Sequence, residues 1–324
     1  MSTPRGLLLL ALAASATGCV NLDFAVHNAR HCSVVGPETC DGPADSWNLL
    51  CVPCEEAYDW EKGYPWQEGT LTAGETVRPI PNDSVTRLTV ETEDGLGSLD
   101  AYWIPSHGGD DAAAAVTLVY SHGNYANLEH YAPRVRFLYE GGYNLLVWDY
   151  RGYGKSQPAS TPTAVQWEAD ALQIRALAET LAPDPSKIVI YGYSLGAIPS
   201  VDMAVADPGM ALLLESPFTS LHQIAEANAG LSFPGTTLST GHYENVREIE
   251  AYDGPVLIMG GSEDQLFEVK DWEALYDAAP GDPRELWIVD GVGHGIGGGG
   301  VPEGGLDAYL SRIAAFLAPL PGAP

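Results

Sequence analysis

Six short apolar runs recur along the chain, each four to six residues long: Ala115–Tyr120, Leu145–Trp148, Ile188–Tyr191, Ala211–Leu214, Val256–Met259 and Leu286–Val289. Runs this short and this uniformly apolar suit strands covered on both faces. Residues 127–140, 164–182, 195–206, 268–279 and 305–317 carry apolar side chains at helical spacing. Ahead of them Val85–Thr92 and Leu99–Ile104 alternate apolar and polar residues, with Asp94-Gly95 between them. That pattern predicts an antiparallel hairpin. A hairpin followed by strand–helix repeats predicts an α/β fold, a mostly parallel sheet flanked by helices on both faces. Such a sheet gathers its reactive groups on loops at the carboxyl ends of its strands, so the residues after each run carry the information about function.

After Ile188–Tyr191 comes Gly192-Tyr193-Ser194-Leu195-Gly196, a G-x-S-x-G between a predicted strand and an apolar helix. The glycines free a sharp strand-to-helix turn from side-chain collisions, and the turn lifts the Ser194 hydroxyl clear of the backbone. A hydroxyl needs a base to become a nucleophile, and the base needs an acid to orient it. Asp264 follows Val256–Met259 in the loop GGSED, and His294 follows Leu286–Val289 in the loop DGVGHG. Adjacent strands therefore bring acid and base to the edge that carries Ser194. Glu263 and Asp290 are rival acids; Glu263 sits one residue early, and Asp290 reads as a strand-end carboxylate. An oxyanion would be held by the N–H of Leu195 at the start of the helix and by that of Asn124, in the loop Ser121-His122-Gly123-Asn124-Tyr125. His122 reads as a stabiliser of that loop rather than a second base. His27, His31 and His107 fall in irregular segments, and His130, His222 and His242 read as surface or loop residues.

From about Ser84 to Leu317 the chain resembles the α/β-hydrolase fold. HGN at 122–124, DYRGYGKS at 149–156, GYSLG at 192–196, ESPFTS at 215–220, and the GSED and GVGHG loops occur in family order. They most resemble the lidless, single-domain serine hydrolases near the monoacylglycerol-lipase, acyl-thioesterase and dipeptidyl-peptidase-like branches. The resemblance implies eight strands and a Ser194–His294–Asp264 triad, with Leu195 and Asn124 as the oxyanion hole. It also implies cleavage of carboxylic esters or thioesters through an acyl-enzyme, without metal or organic cofactor, and a structural role for Arg151. Ser194 excludes the dehalogenases and epoxide hydrolases of this fold, which use aspartate at that position. About 40 residues separate Leu214 from Val256, enough for short helices at 219–229 and 243–251 but not for a cap. An open site would then be lined by Tyr125, Phe218, Leu221, Phe233 and Phe267, with Tyr125, Phe218 and Phe267 the assigned substrate contacts. Two other readings stand beside this one. A short-peptide serine peptidase would anchor a peptide terminus on Glu215, Glu226 or Glu244, and a lipid-anchored binding protein would keep the scaffold without turnover.

The N-terminal part has a different texture. Met1–Arg5 is basic, Gly6–Ala16 is an apolar stretch rich in Leu and Ala, and Ala16-Thr17-Gly18-Cys19 follows. This resembles a bacterial lipoprotein signal, which implies removal of residues 1–18, lipidation of Cys19 and residence in the cell envelope. The remaining cysteines, Cys32, Cys40, Cys51 and Cys54, crowd into 23 residues of the segment 19–80. In an exported chain they read as two disulfides of undetermined pairing, in preference to a zinc site or a redox pair. The hydrolase region then spans 81–320. A net charge of −28, from 43 acidic and 15 basic residues, argues against nucleic acid as a partner. No apolar run approaches the roughly 20 residues of a membrane span, so a membrane contact would come only through the lipid.

Overall fold

The structure, a computed structural model, describes residues 58–61, 77–108, 115–124, 127–220, 243–295 and 300–320. The signal segment 1–18, Cys19, Cys32, Cys40, Cys51, Cys54, Tyr125, Leu221, Phe233, Glu226, His27, His31, His222 and His242 lie outside the described residues.

Eight strands form one sheet: β1 (Thr86–Glu91), β2 (Ser98–Ile104), β3 (Thr117–Ser121), β4 (Asn144–Trp148), β5 (Ile188–Tyr193), β6 (Ala211–Glu215), β7 (Val256–Gly261) and β8 (Arg284–Val289). Their spatial order is β1-β2-β4-β3-β5-β6-β7-β8. β2 pairs antiparallel with both β1 and β4, and every other pairing is parallel. The helices are α1 (Leu128–Glu140), α2 (Ala164–Leu181), α3 (Ala197–Ala206), α4 (Asn245–Glu248), α5 (Val269–Ala278) and α6 (Leu306–Leu317). Among the described residues no helix is long and apolar enough to cross a membrane.

The two-residue period of a strand explains why its apolar runs are continuous. Val119 of β3 and Ile190 of β5 face a core that holds Trp167 and Ile174 of α2, Val201 of α3 and Trp272 of α5. Their neighbours Leu118, Tyr120 and Tyr191 face the opposite core, closed by Val135 and Leu138 of α1 and Ile313 and Phe316 of α6. Each fully buried aliphatic side chain contributes roughly 1.5–3 kcal/mol, so neither face can turn polar without loss. Helix starts are set locally. The Asn127 side chain accepts the His130 N–H at the start of α1, and Thr163 and Gln166 form a reciprocal capping box at α2. Tyr58 and Trp60, from the segment ahead of the sheet, pack into the second core against Tyr102 of β2.

Several element ends differ from the sequence pattern, and two of them bear on the site. β7 runs on through Gly260 and Gly261, because a Cβ at Gly260 would enter the Trp272 ring and one at Gly261 the Val292 carbonyl. α3 starts at Ala197 rather than 195, since Ser194–Gly196 form a tight 3-10 turn first.

Glu248, at the end of α4, lies near Glu168 of α2; burial first, then backbone and charge neighbours, leave its carboxyl pushed up to about 7. Burial raises Asp202 of α3 in the same direction, with Glu248 and Glu168 as its charged neighbours. A carboxyl raised in the folded state favours the folded chain fully below its ordinary value of 4.5, and that advantage is lost as pH rises through about 7. Glu248→Gln is therefore expected to match the wild type near pH 5 and to exceed it at pH 8 by about 1 kcal/mol, after discounting for partial exposure. Urea melts at the two pH values check this; an equal difference at both would contradict it.

Candidate active site

Ser194 sits between β5 and α3 with φ 53°, left-handed backbone that an L-residue adopts only under constraint. Its flanking glycines show why the turn needs them. A Cβ on Gly196 would run into the Ser121 carbonyl, and one on Gly192 would stand 2.7 Å from the Gly196 carbonyl and the Ser200 hydroxyl. Strain of about 1–3 kcal/mol at such a residue persists only because the burial of β5 and α3 outweighs it. Gly196→Ala is expected to destabilise by more than about 4 kcal/mol, since the clash is with backbone. Thermal unfolding measures it, and a variant as stable as the wild type would contradict the geometry.

The Ser194 Oγ lies 2.9 Å from His294 Nε2, and His294 Nδ1 lies 2.7 Å from Asp264 Oδ2. Ser194 and His294 are buried, and the Asp264 side chain is wholly covered. With the Nδ1–H donating to Asp264, Nε2 is the acceptor for the serine O–H. Asp264 is itself fixed: its Oδ1 accepts the N–H groups of Leu266 and Phe267. Of the rival acids, Glu263 is exposed, and Asp290 is an exposed carboxylate that accepts the Ser262 hydroxyl at 3.2 Å. The structure thus brings Ser194, His294 and Asp264 together and leaves both rivals outside.

Phe267 packs edge-on to the His294 ring at 5.2 Å, and Phe218 contacts Phe267 at 6.4 Å. Phe218 also donates its N–H to the Ser194 carbonyl. The Phe267 ring therefore flanks His294, and the Phe218 ring backs it. Leu195 follows Ser194 in the tight turn, its side chain in the core. Asn124 lies in the loop after β3, and its Oδ1 accepts the Tyr153 hydroxyl at 2.7 Å.

His122 is a post beneath that loop. Its ring stacks between Tyr150 at 4.3 Å and Tyr131 at 5.1 Å. Nδ1 lies 2.7 Å from the Gly123 carbonyl and Nε2 faces Asp149 Oδ1 at 3.2 Å, so both nitrogens point away from Ser194. Arg151 is structural too: it forks onto Asp170 of α2 and Asp94 of the β1–β2 turn. His130 is half-buried, where the sequence placed it on the surface or in a loop. It lies in the first turn of α1, where burial first, then the nearby His122 and Arg134, push it down to about 4.

Glu215 also departs from expectation. Its carboxylate accepts Arg134 Nη1 at 2.7 Å and the Tyr191 hydroxyl at 2.6 Å, both buried, so it is committed inside the fold and cannot anchor a peptide terminus. This pair reaches His294 through Tyr193. Arg134 lies over the Tyr193 ring at 3.7 Å, and the Tyr193 hydroxyl donates to the His294 carbonyl at 2.8 Å. The Arg134 guanidinium also abuts Gly295 and Gly300, both at positive φ, at the two ends of the loop after His294. Arg134 and Tyr193 went unassigned in the sequence. α1 is buried nearly all round, so its charged residues show no exposed stripe, and Tyr193 falls at a variable position of the G-x-S-x-G motif.

A family model described as serine aminopeptidase, S33, matches residues 112–242. An uncharacterized protein of Mycobacterium tuberculosis is 31% identical over 226 residues, covering 70% of this chain and 76% of its own. The α/β hydrolase domain-containing protein 17B of Xenopus laevis is 32% identical over 213 residues, covering 64% of this chain and 67% of its own. Among solved structures, the Pyrococcus furiosus esterase Pf2001 superposes with TM-score 0.59 at 21% identity, over 77% of this chain and 98% of that one. Est1E from Butyrivibrio proteoclasticus, with ferulic acid bound, gives 0.57 at 20% identity, over 72% and 98%. These likenesses and the eight-stranded sheet lead to one conclusion: the chain belongs to the α/β-hydrolase superfamily.

Proposed function

We propose that this hydrolase cleaves carboxylic esters or thioesters of small molecules by two-step acyl transfer. The observation that carries the proposal is the unbroken relay from Ser194 Oγ through His294 to Asp264, on a turn strained to present the hydroxyl. His294 Nε2 takes the Ser194 proton as Oγ attacks the carbonyl carbon. The N–H groups of Leu195 and Asn124 stabilise the oxyanion. As the tetrahedral adduct collapses, His294 returns the proton to the departing alkoxide or thiolate, leaving Ser194 acylated. Water, deprotonated by the same imidazole, then attacks the acyl carbon, and the acid leaves as Oγ regains its proton. Phe218 and Phe267 form an apolar wall for the acyl group beside the base.

The matching family description favours a second reading, a peptidase acting on short peptides. Commitment of Glu215 to Arg134 and Tyr191 removes one of its three candidate anchors and leaves Glu226 and Glu244. Turnover of a p-nitrophenyl ester series, set against aminoacyl p-nitroanilides, tests the choice. Esters are expected to dominate in kcat/KM; preference for the anilides would replace the proposal with the peptidase. The lipoprotein-like N-terminus and the cysteine cluster support export to the cell envelope, with Cys19 as the anchor and the hydrolase region held at a membrane. Metabolic labelling with a palmitate analogue, lost in Cys19→Ala, is the expected result.

A further inference from the structure

We propose that Tyr58, in the segment ahead of the hydrolase sheet, is a positioning residue for the oxyanion loop. This rests on the acyl-transfer reading above and extends it to a residue that no motif contains.

The path is short and buried throughout. The Tyr58 hydroxyl donates to Asp149 Oδ2 at 3.0 Å across 91 positions of sequence. Asp149 is fully buried just after β4, and its other oxygen, Oδ1, serves the far side of the loop. It accepts the N–H of Leu128, the first residue of α1, at 2.8 Å, and it lies 3.2 Å from His122 Nε2. His122 in turn faces the Gly123 carbonyl through Nδ1. The carboxylate therefore holds the first residue of α1 by a hydrogen bond and abuts the ring of His122, two residues before Asn124, the second proposed oxyanion donor. Tyr58 holds that carboxylate from below.

The hydroxyl is a dependable donor. Burial, then Asp149 and the neighbouring Tyr102 and Asp100, keep it protonated well above the usual tyrosine range. Its ring is held as well, stacked on Tyr102 at 5.2 Å with the Lys155 ammonium 3.6 Å over its face. The space is fully used: a Cβ on Gly154 would meet both Asp149 and the Tyr58 hydroxyl. Without the Tyr58 hydroxyl, Asp149 Oδ2 would lose a buried donor, and the carboxylate could rotate toward another. Its hydrogen bond to Leu128 would loosen with that rotation, and its packing against the His122 ring would shift. Oxyanion donors are worth most when held at fixed geometry in a dry site, so a small displacement lowers turnover more than ground-state binding.

Tyr58→Phe keeps the ring and its packing and removes only the hydroxyl. The matched comparison is Tyr102→Phe, which deletes a neighbouring buried hydroxyl that bonds Asp100 instead of Asp149. Both are assayed as the full chain on a p-nitrophenyl ester, beside Ser194→Ala and with Tm recorded for each. Tyr58→Phe is expected to lower kcat roughly tenfold with KM within about twofold, and to slow fluorophosphonate labelling in parallel. Tyr102→Phe is expected to lower Tm while leaving kcat unchanged. A folded Tyr58→Phe with wild-type kcat, or equal loss in both variants, would overturn the positioning role while leaving the acyl-transfer reading intact. Undiminished turnover in Ser194→Ala would instead remove that reading itself.

Discussion

Ser194→Ala is expected to lower kcat/KM on a p-nitrophenyl ester by at least about four orders of magnitude, the scale on which serine triads lose activity when the nucleophile goes. Fold and stability should survive. The side chain is small, it leaves a hydroxyl-sized gap, and its one described hydrogen bond is to His294. The strain at φ 53° stays with either residue. A trace of turnover above water would remain from the oxyanion donors and binding alone. Circular dichroism and a thermal melt, run beside the kinetics, separate loss of chemistry from loss of fold.

Arg134→Met carries a large expected effect on stability. Arg134 and Glu215 have side-chain exposures of 5% and 2%, and their N–O distance is 2.7 Å. Removing one partner leaves the other charge buried, at a cost of about 3–5 kcal/mol. Against a total stability of roughly 5–15 kcal/mol, that brings the fold near its limit. Removing the second charge should undo much of the damage. In Arg134→Met/Glu215→Gln the amide still accepts the Tyr191 hydroxyl, and the double variant is expected to melt well above the single one. If the double variant melts no higher, the loss comes from packing and not from the stranded charge. Activity gives a second signature. Arg134 abuts Gly295 and Gly300 and lies over Tyr193, whose hydroxyl holds the His294 carbonyl, so kcat should stay reduced even where stability returns.

Strand and helix positions were legible because both sheet faces are buried: a strand flanked by two cores cannot hide its composition. That Ser194, Asp264 and His294 would meet was legible for a related reason, since parallel strands deliver successive loops to one edge. What stayed hidden followed from long-range pairing. Arg134 and Glu215 are 81 residues apart, and Tyr58 and Asp149 are 91 apart. Nothing local marks any of the four as paired, and a charged residue in a helix reads by default as solvated. Glu215 was thus open to reading as a ligand-binding carboxylate, and His130 as a surface residue, until their surroundings were seen. The strand end at Gly260-Gly261 was hidden because apolarity marks a strand only where side chains do the packing. There the backbone itself packs on Trp272 and Val292.

The central claim is that Ser194 is an activated nucleophile, and the most direct measurement is covalent capture. The purified protein is treated with a fluorophosphonate and digested, and the adduct is located by mass spectrometry. The account predicts a single adduct on the peptide that contains Gly192–Gly196, absent from Ser194→Ala and strongly slowed in His294→Ala. A folded wild-type protein that stays unlabelled, or an adduct on another serine that persists in Ser194→Ala, would contradict it and leave a hydrolase scaffold without the proposed chemistry.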